Sequence, residues 1–235
     1  MDRATPSVDA TAVTDTWPKI ERWGRVGYEQ ALKRQLALAA AIESGAAIDT
    51  LVEVEHPATV TLGRHAAEGD VLLEPAERAE RGIAVVRSDR GGKATYHGPG
   101  QVVVYPIVHL GRLRLGVKAW VCLLESALRD VLAAYGLKGV LIEGRPGVWV
   151  HGAKIASIGL RVVRSVSYHG VSLNVGLDVS GFDCIVPCGS AGERITSIAA
   201  ECAHAPAADE AAARLTATIA ARLQTLAREK GIISA

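Results

Sequence analysis

The chain has 235 residues, of which 49% are hydrophobic, so it can bury a sizeable core. Its 26 Lys and Arg against 25 Asp and Glu leave a formal net charge of +1, which excludes a global field that attracts nucleic acid or an anionic membrane. No apolar run reaches the length of a membrane-spanning helix, and the first residues lack a signal-peptide pattern. Four cysteines are too few for a disulfide scaffold. We therefore expect a soluble cytoplasmic protein with reduced thiols, without nucleic-acid or membrane partners.

The first 16 residues are small and polar, and we expect a disordered tail there because they offer too little apolar surface to offset the entropy of ordering. Residues 17–235 show no internal repeat and no long linker, and they are predicted to form one catalytic domain. A helical apolar stripe starts at Tyr28 and ends at Gly45, which is a plausible C-cap. Two short strands at 51–55 and 59–62, a surface helix at 74–82 and a strand at 83–87 follow.

The later half of the chain is richer in strands. An apolar run at 101–108 predicts a buried strand, and the helix at 117–135 has one apolar face. Cys122 lies within this apolar helix and is expected to belong to the core. Four extended pieces come next, at 139–142, 147–150, 154–164 and 168–175, before an Ala-rich helix at 209–230. Because helices and strands alternate first and strands cluster later, we predict an α/β (α+β) fold with a mixed β-sheet flanked by helices.

A Gly-rich segment, residues 89–101, is the most unusual part of the sequence. Its glycine density costs backbone entropy unless the chain adopts positive φ or approaches a ligand closely. Donor-rich side chains lie among the glycines, namely Arg90, Lys93, Tyr96 and His97. They are suited to hold a carbonyl, phosphate or phosphopantetheine group, while an ordinary hairpin is the alternative. The segment is neither a Walker loop nor a dinucleotide fingerprint.

Two further residues are candidates for catalysis. Lys154 opens an otherwise apolar strand, where it either extends to solvent or serves as a desolvated catalytic amine. Cys188 lies between Pro187 and Gly189, which favours an exposed nucleophilic thiol next to a free backbone N–H, although a buried structural thiol is the alternative. A zinc site made of Cys184, Cys188, Cys202 and His204 is disfavoured because its spacing is unusual.

Four motifs appear in a characteristic order. They are Arg-Gly-Gly-x-x-Thr-Tyr-His-Gly-Pro-Gly-Gln at 90–101, Lys-Ile-Ala-Ser-Ile-Gly-Leu-Arg at 154–161, His-Gly-Val-Ser-Leu-Asn at 169–174 and Val-Pro-Cys-Gly at 186–189. These motifs closely resemble the lipoyl(octanoyl) transferase family, which is related to biotin and lipoate protein ligases. The resemblance extends from about residue 20 to about residue 200.

The resemblance implies a fold like that of biotin and lipoate protein ligases, with an acyl tunnel, and a ping-pong reaction. In that reaction an octanoyl group passes from octanoyl-acyl carrier protein to a thioester on Cys188 and then to the lysine of a lipoyl domain, in the first step of endogenous protein lipoylation. Lys154 is implied to lower the pKa of the thiol and to shuttle protons. The implied substrate-binding residues are Arg90, Gly91, Gly92, Lys93, Ala94, Thr95, Tyr96, His97, Ser157, Ile158, Gly159, Gly170, Val171 and Ser172.

The resemblance also implies a monomer without cofactor or metal, and its acceptors are lipoyl domains of 2-oxoacid dehydrogenase E2 subunits and the glycine cleavage H protein. An octanoyl tail needs an apolar slot, for which Tyr96, Val103, Ile155 and Ile158 are candidates. An acidic carrier protein needs a basic patch, for which the candidates are Arg64, Arg90, Lys93, Arg161 and Arg164.

Two other functions are considered. An ATP-dependent lipoate or biotin ligase would share the fold, but an enzyme that forms adenylates has no need for Cys188. A non-catalytic module that binds an acyl or lipoyl group would use Cys188 and Lys154 only as pocket residues, and the presence of both at the family positions disfavours it.

Overall fold

A computed structural model describes residues 17–187 and 192–233 of the chain. The described strands are β1 (Lys19–Arg25), β2 (Thr50–Glu55), β3 (Thr59–Leu62), β4 (Ala84–Arg87), β5 (Ala94–His97), β6 (Gln101–His109), β7 (Val140–Ile142), β8 (Arg145–Val150), β9 (Ala153–Val163) and β10 (Val166–Asn174). Seven of them form one mixed sheet in the order β1-β2-β6-β10-β9-β8-β7. Strands β1 and β2 are parallel, and each other neighbouring pair in this sheet is antiparallel.

Helices cover both faces of this sheet. The described helices are α1 (Tyr28–Ser44), α2 (Pro75–Glu80), α3 (Val117–Ala134), α4 (Ile198–Glu201) and α5 (Ala208–Glu229), with 3-10 turns at Glu68–Asp70 and Val179–Cys184. Helices α3 and α5 pack on one face in a cluster that includes Trp120, Leu128 and Ile219. Helix α1 packs on the other face through Ala31 and Ile42. Because both faces are covered, every residue of β10 is buried.

A second, smaller sheet carries the Gly-rich segment. Its order is β4-β3-β5, with β3 parallel to β4 and antiparallel to β5. A third hydrophobic cluster lies beneath it and includes Val60, Tyr96, Leu177 and Phe182. This sheet holds the glycines over the larger sheet, because Gly91 N donates to Leu160 O of β9 at 2.9 Å.

The predicted mixed sheet flanked by helices is confirmed, and the three long predicted helices correspond to α1, α3 and α5. Strand β1 was not expected, because none of its residues is buried and charged side chains mask the alternation of an edge strand. The Gly-rich segment contains a strand of its own, β5, and is more than the hairpin turn considered from sequence. The predicted tail, 1–16, lies outside the described residues, so it remains a prediction.

Candidate active site

A cavity of about 400 Å³ lies between the large sheet and the Gly-rich segment. Its sheet side is formed by small residues paired across two strands, Gly159 with Gly170 and Ser157 with Ser172. The ideal Cβ of a residue at Gly159 would lie 3.1 Å from Gly91 O, so the covering segment passes close over the sheet.

The predicted substrate-binding residues converge on this cavity. Except for Tyr96, all of those implied by the resemblance line it, and so does Lys154. Tyr96 lies in the hydrophobic cluster of the small sheet, where its ring centroid is 5.6 Å from that of Phe182. Of the other candidates for an acyl slot, Val103 and Ile158 line the cavity, whereas Ile155 is buried in the core between the sheet and α3 and α5.

The Arg90 side chain holds the Gly-rich segment in shape. It is 8% exposed, and its Nη2 donates to Thr61 O at 2.6 Å and to Lys93 O at 2.7 Å. Its Nε donates to Thr61 Oγ1 at 3.0 Å, and its Nη1 donates to Gly91 O at 3.0 Å. The guanidinium therefore joins the carbonyl of Thr61 in β3 to the carbonyls of Gly91 and Lys93 in the Gly-rich segment. This geometry requires the planar fork of arginine.

Lys154 is buried near the start of β9, with 5% of its surface exposed. The solvent-exposed interpretation considered from sequence is therefore wrong. Its backbone N donates to Arg194 O at 2.7 Å, and its O accepts from Thr196 N at 3.0 Å. Its Nζ lies 4.9 Å from the ring centroid of Trp149 on the neighbouring strand β8.

Cys188, the predicted nucleophile, lies outside the described residues, which end at 187 and resume at 192. Both flanks are attached to the fold. Before the gap, Val186 N donates to Asp70 O at 2.8 Å, and Ile185 forms an isolated bridge with Val71. After the gap, Ile195 forms an isolated parallel bridge with Lys154.

A chain of buried amide and imidazole groups connects the Gly-rich segment with Lys154. His97 Nδ1 donates to Gln101 Oε1 at 2.7 Å, and Gln101 Nε2 donates to Asn174 Oδ1 at 2.9 Å. Asn174 Nδ2 donates to Thr196 O at 2.9 Å, and the N of Thr196 bonds to the Lys154 carbonyl. These contacts explain why the motif at 90–101 carries His and Gln and the motif at 169–174 carries Asn, because each side chain satisfies a buried donor or acceptor of the next.

Aromatic polar side chains form one wall of the cavity, and sequence reasoning did not single out Tyr28 and Tyr105 among them. Tyr28 stacks on His97 at 5.8 Å between ring centroids, and Tyr105 O–H donates to His56 Nε2 at 2.7 Å. Burial lowers the pKa of His56 and lowers that of His97 well below its usual value. Burial also raises the pKa of both tyrosines. The wall is therefore polar and uncharged at neutral pH.

His169 belongs to the same wall and has a left-handed backbone, with φ +57°. Its Nε2 donates to Asp89 Oδ1 at 2.7 Å, and Tyr168 O–H donates to Asp89 Oδ2. Burial by itself raises the pKa of Asp89, but the two hydrogen bonds outweigh it and lower the pKa. Burial and Asp89 together raise the pKa of Tyr168 to about 12. A strained, buried histidine beside a cavity is typical of a functional site.

The described cysteines do not form a metal site. No three His, Cys, Asp or Glu side chains cluster suitably for a metal ion within 17–187 and 192–233. Cys184 lies in the cluster of the small sheet and Cys202 packs on the cluster around α3 and α5. Cys122 is exposed on α3, contrary to expectation, because the buried face of that helix is formed by Trp120, Leu124 and their helical neighbours.

The predicted basic patch is only partly exposed. Arg90 is buried in its hydrogen bonds to the Gly-rich segment. Arg161 is half-buried, with its Nε 3.9 Å from Asp89 Oδ2, whereas Arg164 is exposed and its Nη1 lies 3.3 Å from Glu43 Oε1. Arg64 and Lys93 are exposed, and Lys93 lines the cavity. In the part of the chain that the structure describes, no helix is long and apolar enough to cross a bilayer.

Comparisons with known proteins agree with this architecture. Residues 27–220 match the family described as Lipoyl protein ligase A/B catalytic domain. An octanoyltransferase of Chloroflexus aurantiacus is 49% identical over 199 residues, which cover 83% of this chain and 89% of that protein. An octanoyltransferase of Chloroflexus aggregans is 46% identical over 201 residues, covering 84% and 91%.

Solved structures with the same fold are more distant in sequence. A bi-partite lipoate protein ligase from Thermoplasma acidophilum superposes with a TM-score of 0.63 at 18% identity, covering 89% of this chain and 90% of that chain. A lipoate-protein ligase A bound with ATP has a TM-score of 0.62 at 16% identity, covering 83% and 88%. The match over residues 27–220 and the identity to octanoyltransferases show that this chain belongs to the lipoyl protein ligase A/B catalytic domain family.

Proposed function

We propose that this protein transfers an octanoyl group from octanoyl-acyl carrier protein to the lysine of a lipoyl domain, through a thioester on Cys188. The relatives named octanoyltransferase support the reaction class. The observation that carries the mechanism is the burial of Lys154 in a cavity wall, next to the segment that continues from Cys188. The described residues that flank Cys188 in the chain, up to 187 and from 192, are attached to the fold beside this cavity wall.

In the first step the Cys188 thiolate attacks the carbonyl carbon of the carrier thioester. The bond to the carrier sulfur breaks, and that sulfur leaves as a thiol with a proton from the Lys154 ammonium group, which becomes a neutral amine. One thioester replaces another, so the step needs little driving force and depends on the thiolate fraction. The cationic form of Lys154 favours the thiolate, and the N–H of Gly189 is the candidate donor to the oxyanion.

In the second step the lysine amine of the lipoyl domain attacks the Cys188 thioester. An amide bond forms, the C–S bond breaks, and Cys188 returns as a thiolate or thiol. The attacking amine has to lose a proton, and a neutral Lys154 in the cavity wall is the group that accepts it. The residues that line the cavity, from Arg90 to His97 without Tyr96, Ser157 to Gly159 and Gly170 to Ser172, are proposed to enclose the acyl group.

The proposed partners are therefore an acyl carrier protein as donor and lipoyl domains, including E2 subunits and the H protein, as acceptors, bound by a monomer. Exposed Lys93 and Arg64 lie on the segments next to the cavity and supply positive charge for an acidic carrier. A nucleophilic thiol requires a reducing compartment, so we propose that the reaction takes place in the cytoplasm.

Intact-protein mass spectrometry after incubation with octanoyl-acyl carrier protein tests the proposal. The native protein is expected to gain one octanoyl group that hydroxylamine removes and that an apo lipoyl domain discharges. Cys188→Ser is expected to gain none, and Lys154→Ala is expected to acylate far more slowly. Cys122→Ser is the matched control, because it removes an exposed thiol on α3 and is expected to behave as native protein.

Two outcomes contradict the proposal. Modification of the lipoyl domain that requires ATP and octanoate, without an adduct on Cys188, would indicate a ligase. Binding of the acyl donor without an adduct and without a product would indicate a non-catalytic acyl-binding module.

A further inference from the structure

Lys154 occupies a slot formed by two residues of β8. Gly147, with φ +136°, leaves room for its stem, because an ideal Cβ there would lie 2.8 Å from Lys154 Cε and 2.5 Å from Ala156 O. The Trp149 ring lies beside the ammonium group, with 4.9 Å between Nζ and the ring centroid. The face of an indole ring attracts a cation at this distance.

The Trp149 ring is itself fixed. It is 2% exposed, and its indole N–H donates to Glu193 Oε1 at 3.0 Å. The Glu193 side chain, 5% exposed, forms an ion pair with Arg145. The Arg145 guanidinium lies 5.2 Å from the centroid of the same ring. Contacts on the ring and on its N–H therefore set its orientation.

Glu193 belongs to the described segment that begins at residue 192, four positions after Cys188 in the chain. The next residues of that segment, Arg194 and Thr196, bond to the backbone of Lys154. The same short segment therefore fixes the lysine backbone directly and fixes the ring beside its ammonium group through Glu193.

We propose that Trp149, oriented by Glu193, is a positioning residue that holds the ammonium group of Lys154 where it acts on the Cys188 thiol. This inference rests on the proposed function, because it assigns a role to the environment of the proposed Cys188 and Lys154 pair. Charged groups of several elements contact the residues that surround Lys154 or line the same cavity, and none of them is replaced in the variants below. They are Arg145 of β8, Glu125 of α3, Glu193 of the following segment, and Arg90 and Lys93 of the cavity wall.

The test is the pH dependence of Cys188 alkylation by iodoacetamide in the full-length protein, followed by peptide mass spectrometry. Trp149→Phe keeps a ring of weaker cation attraction and loses the N–H, whereas Trp149→Leu loses both. The pH midpoint of Cys188 alkylation is expected to rise from native protein to Phe to Leu, towards the value of Lys154→Ala. At pH 7 the Leu variant is expected to react roughly threefold to tenfold more slowly.

Two controls separate a positioning role of Trp149 from a general loss of folding or stability. Alkylation of Cys122 in the same samples is an internal reference, since this thiol is exposed on α3. Trp23→Leu removes a similar arrangement on another part of the protein, where Arg34 lies 5.4 Å from the ring and the indole N–H donates to Glu21. The midpoint of Cys188 alkylation is expected to stay native in that variant.

The results distinguish the inference from the proposed function. A raised midpoint in Lys154→Ala with native midpoints in both Trp149 variants overturns the inference and leaves the proposed pair intact. A native midpoint in Lys154→Ala contradicts the proposed pair itself. If Trp149→Leu does not fold, Trp149→Phe decides: a native midpoint there overturns the inference, and a raised one supports it.

Discussion

Replacement of Arg90 by lysine tests whether this side chain shapes the Gly-rich segment or serves only to contact substrate. The substitution keeps the positive charge, but a single ammonium group cannot reach acceptors on Thr61, Gly91 and Lys93 at once. A buried acceptor that loses its partner costs about 1–3 kcal/mol. Lys93 O also accepts from Gly63 N, so its loss lies at the low end of that range.

The lysine ammonium group is expected to keep one of these three contacts and to leave two acceptors without a partner. Arg90→Lys is therefore expected to lower the free energy of unfolding by about 2–4 kcal/mol. Urea unfolding followed by tryptophan fluorescence measures this change, and the m-value is expected to stay constant. Arg64→Lys, at an exposed arginine on an adjacent segment, is the matched control and is expected to change stability by less than about 0.5 kcal/mol. Equal stability of the two variants, with a raised KM only in Arg90→Lys, would refute the structural role and support a direct substrate contact.

Three further predictions concern the protein as a whole and the cavity. Burial lowers the pKa of His56, His97 and His169, so the unfolded chain binds more protons than the folded one below pH 6.5. The stability is therefore fully present above that pH and is expected to fall as the pH drops. A constant free energy of unfolding between about pH 7.5 and 5.5 would contradict this. Gly170→Ala would place a Cβ 2.0 Å from Val104 O, so it is expected to destabilise the protein by more than about 2 kcal/mol in urea unfolding, whereas Gly176→Ala, where no atom lies within 4 Å, is expected to be tolerated. Ile158→Phe narrows the cavity and is expected to shift donor preference from octanoyl to shorter acyl thioesters in a competition assay; an unchanged preference would exclude Ile158 from the acyl slot.

The sequence was sufficient for the elements with strong local signals. The stripe that begins at Tyr28 and the glycine after it define α1, since period and C-cap are properties of a single segment. Clustered strands in the later half predicted the mixed sheet, and four motifs predicted the family. The sequence does not predict strand β1, because this strand is stabilised by pairing with β2 and its own residues carry almost no apolar alternation.

Side-chain direction was harder to predict within the same motif. His97 and Tyr96 are adjacent in β5, and residues that alternate along a strand point to opposite sides. His97 therefore lines the cavity, while Tyr96 packs in the cluster of the small sheet. Which of the two faces is the cavity depends on where the small sheet lies over the large one, and no local pattern encodes that.

Residue types and spacing alone thus predicted that the chain forms a mixed sheet with helices and that it belongs to this family, and they singled out Lys154 and the Gly-rich segment, which line one cavity. The tertiary structure decided which groups meet: Gly147, Trp149 and Glu193 come together around Lys154, and Tyr28 and Tyr105 join the cavity wall. These contacts join residues far apart in the chain, and their energies depend on distances, burial and ring orientation that exist only after the sheet and its covering segments have packed together.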